Sequence, residues 1–271
     1  MKNILVPIDF STASHNASEY AVSLAGIFDA NLIFIHAYMP PVVIDEVFAT
    51  SLLVSHAELV KGNEVSMAQE IKTLYKKQAI KIEGLVREGF APDIIKEMAK
   101  EKNADLIVMG MKGKGKSNSV FGSATTTIIR KTSVPVLVIP ENAVYKSMDI
   151  ITFAADFDAE TEMNRYALLK ELAEKYNSFI QILNVQKKEL TMGSDDVIGK
   201  MRTDLALSKL KHSFHTIEDN QIEKGIHKFI EKNPSDILVM VAHEHTIFER
   251  MFGKVHTKNM SHQTKIPLLV L

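Results

Sequence analysis

The sequence predicts an α/β protein with two doubly wound parallel five-stranded sheets, one in each half of the chain. Three observations predict this fold. Short continuous apolar runs alternate with helical patterns, which is typical of a parallel sheet covered by helices on both faces. Landmarks of the first half recur in the same order in the second half. The composition, 46% hydrophobic and 24% charged over 271 residues, is globular and leaves room for two domains.

The internal repeat rests on four matched landmarks. The pairs are Asp9-Phe10 with Asp156-Phe157, Asp105–Met109 with Asp236–Met240, Phe121-Gly122 with Phe252-Gly253, and Val134–Val138 with Ile266–Val270. Their common order indicates duplication of a whole domain. We therefore expect two copies of one α/β unit, residues 1–143 and 148–271, joined by a short linker.

In each half, five apolar runs predict strands and the segments between them predict helices. The strands of the first half are Ile4–Ile8, Leu32–Ala37, Ile80–Val86, Leu106–Met109 and Val136–Ile139, of which the third alternates as an edge strand does. Its helices are one capped by Ser11 or Thr12, one over about Ser66–Lys77, one opened by Ala91-Pro92-Asp93, and one after Gly122. The segment Tyr38–Asn63 fits either a short helix with a loop or a partner-binding flap.

The second half repeats this plan. Its predicted strands are Ile150–Ala155, Phe179–Val185, Phe214–Ile217, Ile237–Val241 and Pro267–Leu271. Its predicted helices are Glu160–Tyr176, Val197–Leu210, Gln221–Glu231 and about Phe252–Met260. Alternation of this kind places the strands parallel, with a helix crossing between each pair.

A glycine- and lysine-rich loop follows the fourth strand and is a candidate anion site. Its members are Gly110, Lys112, Gly113, Lys114, Gly115, Lys116 and Gly122. Glycine lets backbone amides approach phosphate oxygens, lysine adds positive charge, and the following helix adds its dipole. The alternative is a solvated turn without a ligand.

The same loop matches the P-loop pattern G-x-x-x-x-G-K-[ST] from Gly110 to Ser117. That pattern needs a helix that begins at its own Gly-Lys-Ser, whereas the better helical run begins at Ser123. The match also lies on the fourth strand, with one strand left before the unit ends. We interpret it as a coincidence of composition.

The whole chain resembles a tandem universal stress protein. That family has an aspartate at the end of the first strand, here Asp9, and a G-x2-G-x9-G-[ST] motif after the fourth. Gly110-x2-Gly113-x8-Gly122-Ser123 follows this motif with a second gap one residue shorter. The resemblance implies a Rossmann-like, adenine nucleotide alpha hydrolase-like fold with strand order 3-2-1-4-5. It also implies ATP as the ligand, with or without Mg²⁺.

The resemblance assigns the phosphates to the glycines and Ser123, and the adenosine part to Asp9 and neighbouring strand ends. The predicted binding residues are Pro7, Asp9, Ala37, Met109, Gly110, Lys112, Gly113, Gly122, Ser123, Ala124 and Thr125. In this strand order the winding reverses between the first and fourth strands, where doubly wound sheets bind ligands. Asp9 is alternatively only a helix cap.

The second half lacks this loop chemistry. Val241, Glu244 and Lys254 replace the first glycine, the second glycine and the serine. Side chains there would block phosphate approach, and glutamates would repel it. We expect the second half to be a degenerate copy with a structural or partner-binding role.

Several function classes are excluded or disfavoured. The net charge of −1 argues against nucleic-acid or membrane binding by bulk charge, and the lack of cysteine excludes disulfides and thiolate catalysis. Asp9 comes too early for a secretory leader and no run approaches the roughly 18 apolar residues of a membrane span, so we expect a cytoplasmic protein. Histidine pairs such as His212-x2-His215 have spacings that can bind zinc or nickel, but we interpret them as surface or partly buried residues and predict no metal site.

The leading hypothesis is an ATP-binding protein with a regulatory or stress-response role. No general base is evident, so we predict no catalytic residue and at most weak ATP hydrolysis. The alternatives are a nucleotide-free interaction module and an ATP-using enzyme of related architecture. Since the resembled family dimerises through its last strand, we expect the two halves to pair as an intrachain pseudo-dimer, with a homodimer of the full chain left open.

Copying the second half into the loop tests its assignment. We expect Gly113→Glu to abolish nucleotide binding and leave the fold intact, because the side chain blocks the amide and its charge repels phosphate. Calorimetry with ATP and Mg²⁺ measures binding, and circular dichroism reports the fold. Unchanged affinity in a folded variant would contradict the phosphate-loop assignment.

Overall fold

The computed structural model describes residues 1–40, 49–75, 80–111, 122–157, 166–186, 194–241 and 266–271. These residues form two compact units, the first built from the chain up to Tyr145 and the second from Lys146 onward. Both are α/β units with parallel strands, as predicted. Within the described stretches, no helix combines the length and the apolar character needed to cross a bilayer.

Unit 1 is a parallel sheet of five strands in the order β3-β2-β1-β4-β5, which is the predicted order. Its elements are β1 (Asn3–Pro7), α1 (Thr12–Phe28), β2 (Asn31–Tyr38), α2 (Ala49–Tyr75), β3 (Ile82–Glu88), α3 (Ala91–Glu101), β4 (Leu106–Gly110), α4 (Ser123–Lys131) and β5 (Val136–Ile139). The strands β1, β4 and β5 are almost wholly buried, whereas β3 is mostly exposed. Continuous apolar runs therefore form the centre of the sheet, and the alternating run forms its edge.

Helix α1 shows how local sequence sets an element's bounds. Ser11 caps it in an extended conformation, and the Ser11 and Ser14 side chains form a reciprocal capping box. The helix ends at Asp29, which has left-handed backbone angles. Its buried face includes Ala13, Ala17 and Leu24. Of the two predicted caps, Ser11 and Thr12, the structure confirms Ser11.

Helix α2 is longer than the sequence predicted. It spans Ala49–Tyr75, so residues 49–63 of the segment Tyr38–Asn63 are helical, while residues 41–48 of that segment lie outside the described part of the chain. Gly62 lowers the helix propensity in the middle of this run, so the sequence pattern did not predict one continuous helix. Farther along, α2 packs on β3, where a Cβ at Gly84 would lie 2.6 Å from Ile71 Cδ1.

Unit 2 repeats the topology, with neighbouring strands in the order β8-β7-β6-β9-β10 and all pairs parallel. Its elements are β6 (Ile150–Ala154), α5 (Ala167–Tyr176), β7 (Phe179–Gln186), α6 (Ser194–Leu207), β8 (His212–Glu218), α7 (Ile222–Lys232), β9 (Ile237–Met240) and β10 (Leu268–Val270). Helix α6 begins and ends three residues earlier than predicted. It ends at Leu207, where the chain turns and Leu210 N donates to Leu207 O at 2.8 Å. The predicted helix Phe252–Met260 lies outside the described residues.

Two helical glycines, Gly62 in α2 and Gly199 in α6, give opposite expectations for the same substitution. A Cβ at Gly199 would lie 2.1 Å from the Phe157 carbonyl oxygen, whereas a Cβ at Gly62 would have nothing within 4 Å. We expect Gly199→Ala to lower the free energy of unfolding by about 1–3 kcal/mol through overpacking. Gly62→Ala should raise it by about 0.5–1 kcal/mol through helix propensity. Chemical denaturation followed by circular dichroism measures both, and equal effects would contradict the close helix contact.

Candidate functional site

The candidate site is the crevice at the carboxyl ends of β1 and β4 in unit 1. These strands are parallel neighbours, with Ile4 opposite Leu106 and Leu5 opposite Ile107. From β1 the chain passes through α1 to β2 on one side, and from β4 it passes through α4 to β5 on the other. The winding direction therefore reverses between β1 and β4, which is where open α/β sheets bind ligands.

Gly110 ends β4 against the backbone of α1. A Cβ at Gly110 would lie 2.8 Å from the Ala13 carbonyl oxygen and 3.3 Å from Ala13 Cβ. Real Cβ atoms do not approach a backbone oxygen so closely, and the contact is with backbone rather than a movable side chain. Only glycine fits this position without shifting the helix.

The N-terminus of α4 is held against the same strand end. Gly122 N donates to Met111 O at 2.9 Å, and Thr125 Oγ1 donates to Gly110 O at 3.2 Å. Gly122 occupies the N-cap position and the first turn of α4 contains no acidic residue. Ser123 is exposed and Thr125 is 2% exposed. The amides and dipole of this helix end suit an anion bound at its first turn.

Asp9 lies in the turn from β1 to α1. Its Oδ1 accepts the Ser11 backbone N–H at 3.0 Å, while Ser11 itself is the N-cap. The alternative interpretation of Asp9 as the helix cap is therefore wrong. Between them, Phe10 has a left-handed backbone (φ 57°), which for an aromatic residue costs on the order of 1–3 kcal/mol. The turn is thus strained where it presents Asp9.

His36 contacts this turn through its side chain, although no motif in the sequence pointed to it. Its Nδ1 lies 2.8 Å from the Ile8 carbonyl oxygen, and since a carbonyl only accepts, Nδ1 carries the proton. We call this contact the strand-end hydrogen bond. The imidazole also packs on the Phe10 ring, with centroids 4.5 Å apart. A polar residue at the end of the otherwise apolar run Leu32–Ala37 was the available signal.

Beyond Ala37, the carboxyl ends of β2 and β3 carry a group of ionisable side chains. His56 Nε2 of α2 pairs with Glu88 Oε2 at 3.1 Å, and the His56 and Tyr38 rings lie 6.3 Å apart. Partial burial, followed by the Glu88 and Glu64 carboxylates, raises the pKa of Tyr38. The Tyr38 phenol therefore stays neutral at physiological pH.

The structure brings most of the predicted binding residues to one edge of unit 1. Pro7, Ala37, Met109 and Gly110 lie at or next to the carboxyl ends of three adjacent strands. Asp9 follows β1 directly, and the first turn of α4 is joined to β4 by the contacts of Gly122 and Thr125. The predicted binding residues that lie at this edge are Pro7, Asp9, Ala37, Met109, Gly110, Gly122, Ser123, Ala124 and Thr125. Lys112 and Gly113 lie outside the described residues.

Unit 2 keeps the strand-end hydrogen bond and differs elsewhere. Asn184 Nδ2 donates to Ala155 O at 3.1 Å, in the place where His36 contacts Ile8. The equivalence is set by the preceding ladder bond, since Ala155 N donates to Leu183 O as Ile8 N donates to Ile35 O, each at 2.9 Å. Val241, in the position of Gly110, is buried. Glu244 and Lys254 lie outside the described residues.

The histidines considered for a metal site have other partners. His212 Nε2 lies 3.0 Å from Asp204 Oδ1, and His215 Nε2 lies 2.7 Å from Ser213 Oγ. Within the described stretches, no three potential ligands among His, Asp and Glu come together. Each of these two histidines therefore has a hydrogen-bond partner, His212 in helix α6 and His215 in strand β8.

The hydroxyl that joins α4 to β4 gives a direct test of the site's framework. Thr125→Val removes the bond to Gly110 O at a buried position, so we expect the free energy of unfolding to fall by about 1–2 kcal/mol. Thr126→Val is the matched control, because its hydroxyl bonds only within the helix, to Gly122 O at 3.2 Å. Thermal and chemical denaturation compare them. Equal losses would show that the Thr125 contact has no special role.

Comparison with known proteins agrees with this fold and sequence. A universal stress protein from Methanocaldococcus jannaschii is 33% identical over 141 residues, covering 51% of this chain and 81% of that protein. One from Synechocystis is 32% identical over 142 residues, covering 51% of this chain and 85% of that protein. The crystal structure of a universal stress protein from Archaeoglobus fulgidus covers 99% of this chain and 97% of its own, with TM-score 0.71 and 17% identity.

The family profile matches the part of the chain that contains the crevice. It covers residues 1–140, which include β1, β4, the glycine loop and the start of α4. The matched half therefore contains Asp9, Gly110 and Gly122 together. The chain belongs to the universal stress protein family.

Proposed function

We propose that unit 1 binds an adenine nucleotide, ATP with or without Mg²⁺, in the crevice between β1 and β4. The nucleotide's phosphates lie before the first turn of α4, and its nucleoside part lies toward Asp9 and Ala37. The protein acts through this binding in a stress-response or regulatory role rather than as an enzyme with rapid turnover.

The observation that supports this proposal most is the joining of Gly110 and the α4 N-terminus at the winding reversal. Gly110 is pressed against Ala13, and Gly122 is bonded to Met111, so the helix end is fixed at the carboxyl edge of the sheet. Helix amides with no acidic residue in the first turn form an anion site. The sequence of the loop that joins them contains three lysines, which would favour an anion by their charge.

Unit 2 takes a structural or partner-binding role in this proposal. Val241 places a buried side chain where unit 1 has Gly110. The Phe157 ring, in the position of Phe10, is 4% exposed and faces Phe214, with centroids 6.1 Å apart. The backbone of Phe157 is also in contact with Gly199 of α6. A valine side chain at the end of the fourth strand leaves less room for a ligand there than a glycine does.

Equivalent aspartates in the two units provide the test. We expect wild-type protein to bind one ATP per chain in titration calorimetry with Mg²⁺. Asp9→Asn should weaken binding by roughly tenfold or more, since a hydrogen bond to a charged group contributes about 1.5–3 kcal/mol. Asp156→Asn is the matched control and should leave the affinity unchanged.

Three results would contradict the proposal. Absence of ATP binding by the wild type removes it altogether. Two equivalent sites per chain would contradict the assignment to unit 1 alone. Equal effects of the two aspartate substitutions would show that the crevice of unit 1 is not where the nucleotide lies.

A further inference from the structure

His36 has one ring nitrogen engaged and one left as an acceptor. Nδ1 donates to the Ile8 carbonyl oxygen at 2.8 Å, which fixes the Nδ1–H tautomer of the neutral ring. Nε2 then carries a lone pair and accepts hydrogen bonds. Among the described residues, Nε2 has no hydrogen-bond partner.

The ring is held so that this acceptor cannot easily turn away. Rotation of the imidazole would break the strand-end hydrogen bond and the contact with the Phe10 ring at 4.5 Å. Phe10 is itself fixed in a left-handed turn between Asp9 and the Ser11 cap. An acceptor that is oriented before binding contributes more to recognition than a mobile one.

Unit 2 has the same arrangement with a different side chain. Asn184 donates its Nδ2 to Ala155 O at 3.1 Å, and its Oδ1 is buried with no hydrogen-bond partner among the described residues. Asn184 is 6% exposed, whereas His36 is half-buried. In both units, therefore, a side chain near the end of the second strand donates a hydrogen bond to a backbone carbonyl. Its remaining acceptor atom has no hydrogen-bond partner among the described residues. Among the described residues, unit 1 has Gly110 at the end of its fourth strand, whereas unit 2 has the buried Val241 there.

We propose that His36 Nε2 accepts a hydrogen bond from the nucleoside part of the ligand and so determines which nucleosides unit 1 prefers. This inference rests on the proposed nucleotide site, since His36 adjoins Ala37 and the Asp9 turn. The donor is an N–H or O–H group, which in adenosine means the exocyclic amino group or a ribose hydroxyl. A ligand that lacks the donor leaves Nε2 unpaired and loses affinity.

Nucleotide analogues distinguish the two sources of the donor. Inosine triphosphate lacks the amino group, and 2′-deoxy-ATP and 3′-deoxy-ATP each lack one hydroxyl. We expect wild-type protein to bind one of these analogues about tenfold more weakly than ATP, which corresponds to about 1.4 kcal/mol. In His36→Leu, ATP should bind as weakly as that analogue, so that the ratio of the two affinities falls to about one.

Asn184→Leu is the matched control, because it makes the same change at the equivalent position of unit 2. We expect it to leave ATP binding and the analogue ratio as in the wild type. Equal weakening of ATP and every analogue in His36→Leu would show that His36 only positions the turn, and would overturn the inference. A wild type that does not distinguish ATP from any of the three analogues overturns it as well.

A measurement on the wild-type protein keeps the inference testable if His36→Leu does not fold. Long-range ¹H–¹⁵N spectra resolve the ring nitrogens of histidines, and the His36 signals are assigned by their loss in His36→Asn, which retains a donor as Asn184 does. We expect the Nε2 resonance to move on ATP addition while Nδ1 stays protonated, and to stay still with inorganic tripolyphosphate. An Nε2 signal unchanged by saturating ATP overturns the inference alone, whereas no ATP binding at all overturns the proposed function with it.

Discussion

The backbone contact between Ala13 and Gly110 is the constraint that positions both walls of the candidate crevice in unit 1. Because α1 approaches β4 with only a glycine between them, the helix lies directly over the strands that flank the winding reversal. That position fixes where α1 begins, and hence where the turn carrying Asp9 lies. It also leaves the Gly110 carbonyl free to accept from Thr125, which joins α4 to the same strand end. One close approach thus orders both walls of the crevice.

The turn from β1 to α1 is strained, and the residues around it hold it in place. Phe10 has a left-handed conformation that a bulky side chain seldom adopts. The capping box of Ser11 and Ser14 fixes the turn on the helix side, and the His36 contacts fix it on the sheet side. Strain of this kind persists where the surroundings determine the conformation more than once, and it is common at ligand sites.

Much of the fold was predictable from the sequence, because strands that are buried on both faces consist of continuous apolar runs. The runs of β1, β4 and β5 are buried on both faces, and the repeat in sequence predicted the repeat in topology. The start of α2 was not predictable, because Gly62 interrupts a helix whose inner face depends on β3, a partner far away in sequence. Asp9, Gly110 and Gly122 were predicted as binding residues from their type and spacing, and the structure places them at one edge of the sheet. His36 was missed because its role depends on the Ile8 carbonyl, whose direction no sequence pattern shows.

Comparison of the two units distinguishes features that both sheets share from features that occur in unit 1. The strand-end hydrogen bond occurs in both, made by an imidazole in one and an amide in the other, so it serves the end of the first strand irrespective of a ligand. The glycine at the end of the fourth strand occurs only in unit 1. A valine at that place, as at Val241, excludes a helix backbone from the distance that Ala13 reaches. Since unit 2 forms the same strand order with Val241 in that position, the strand order does not require a glycine there. The close approach at Gly110 is therefore a feature that distinguishes unit 1 from unit 2 rather than a requirement of the strand order that both share.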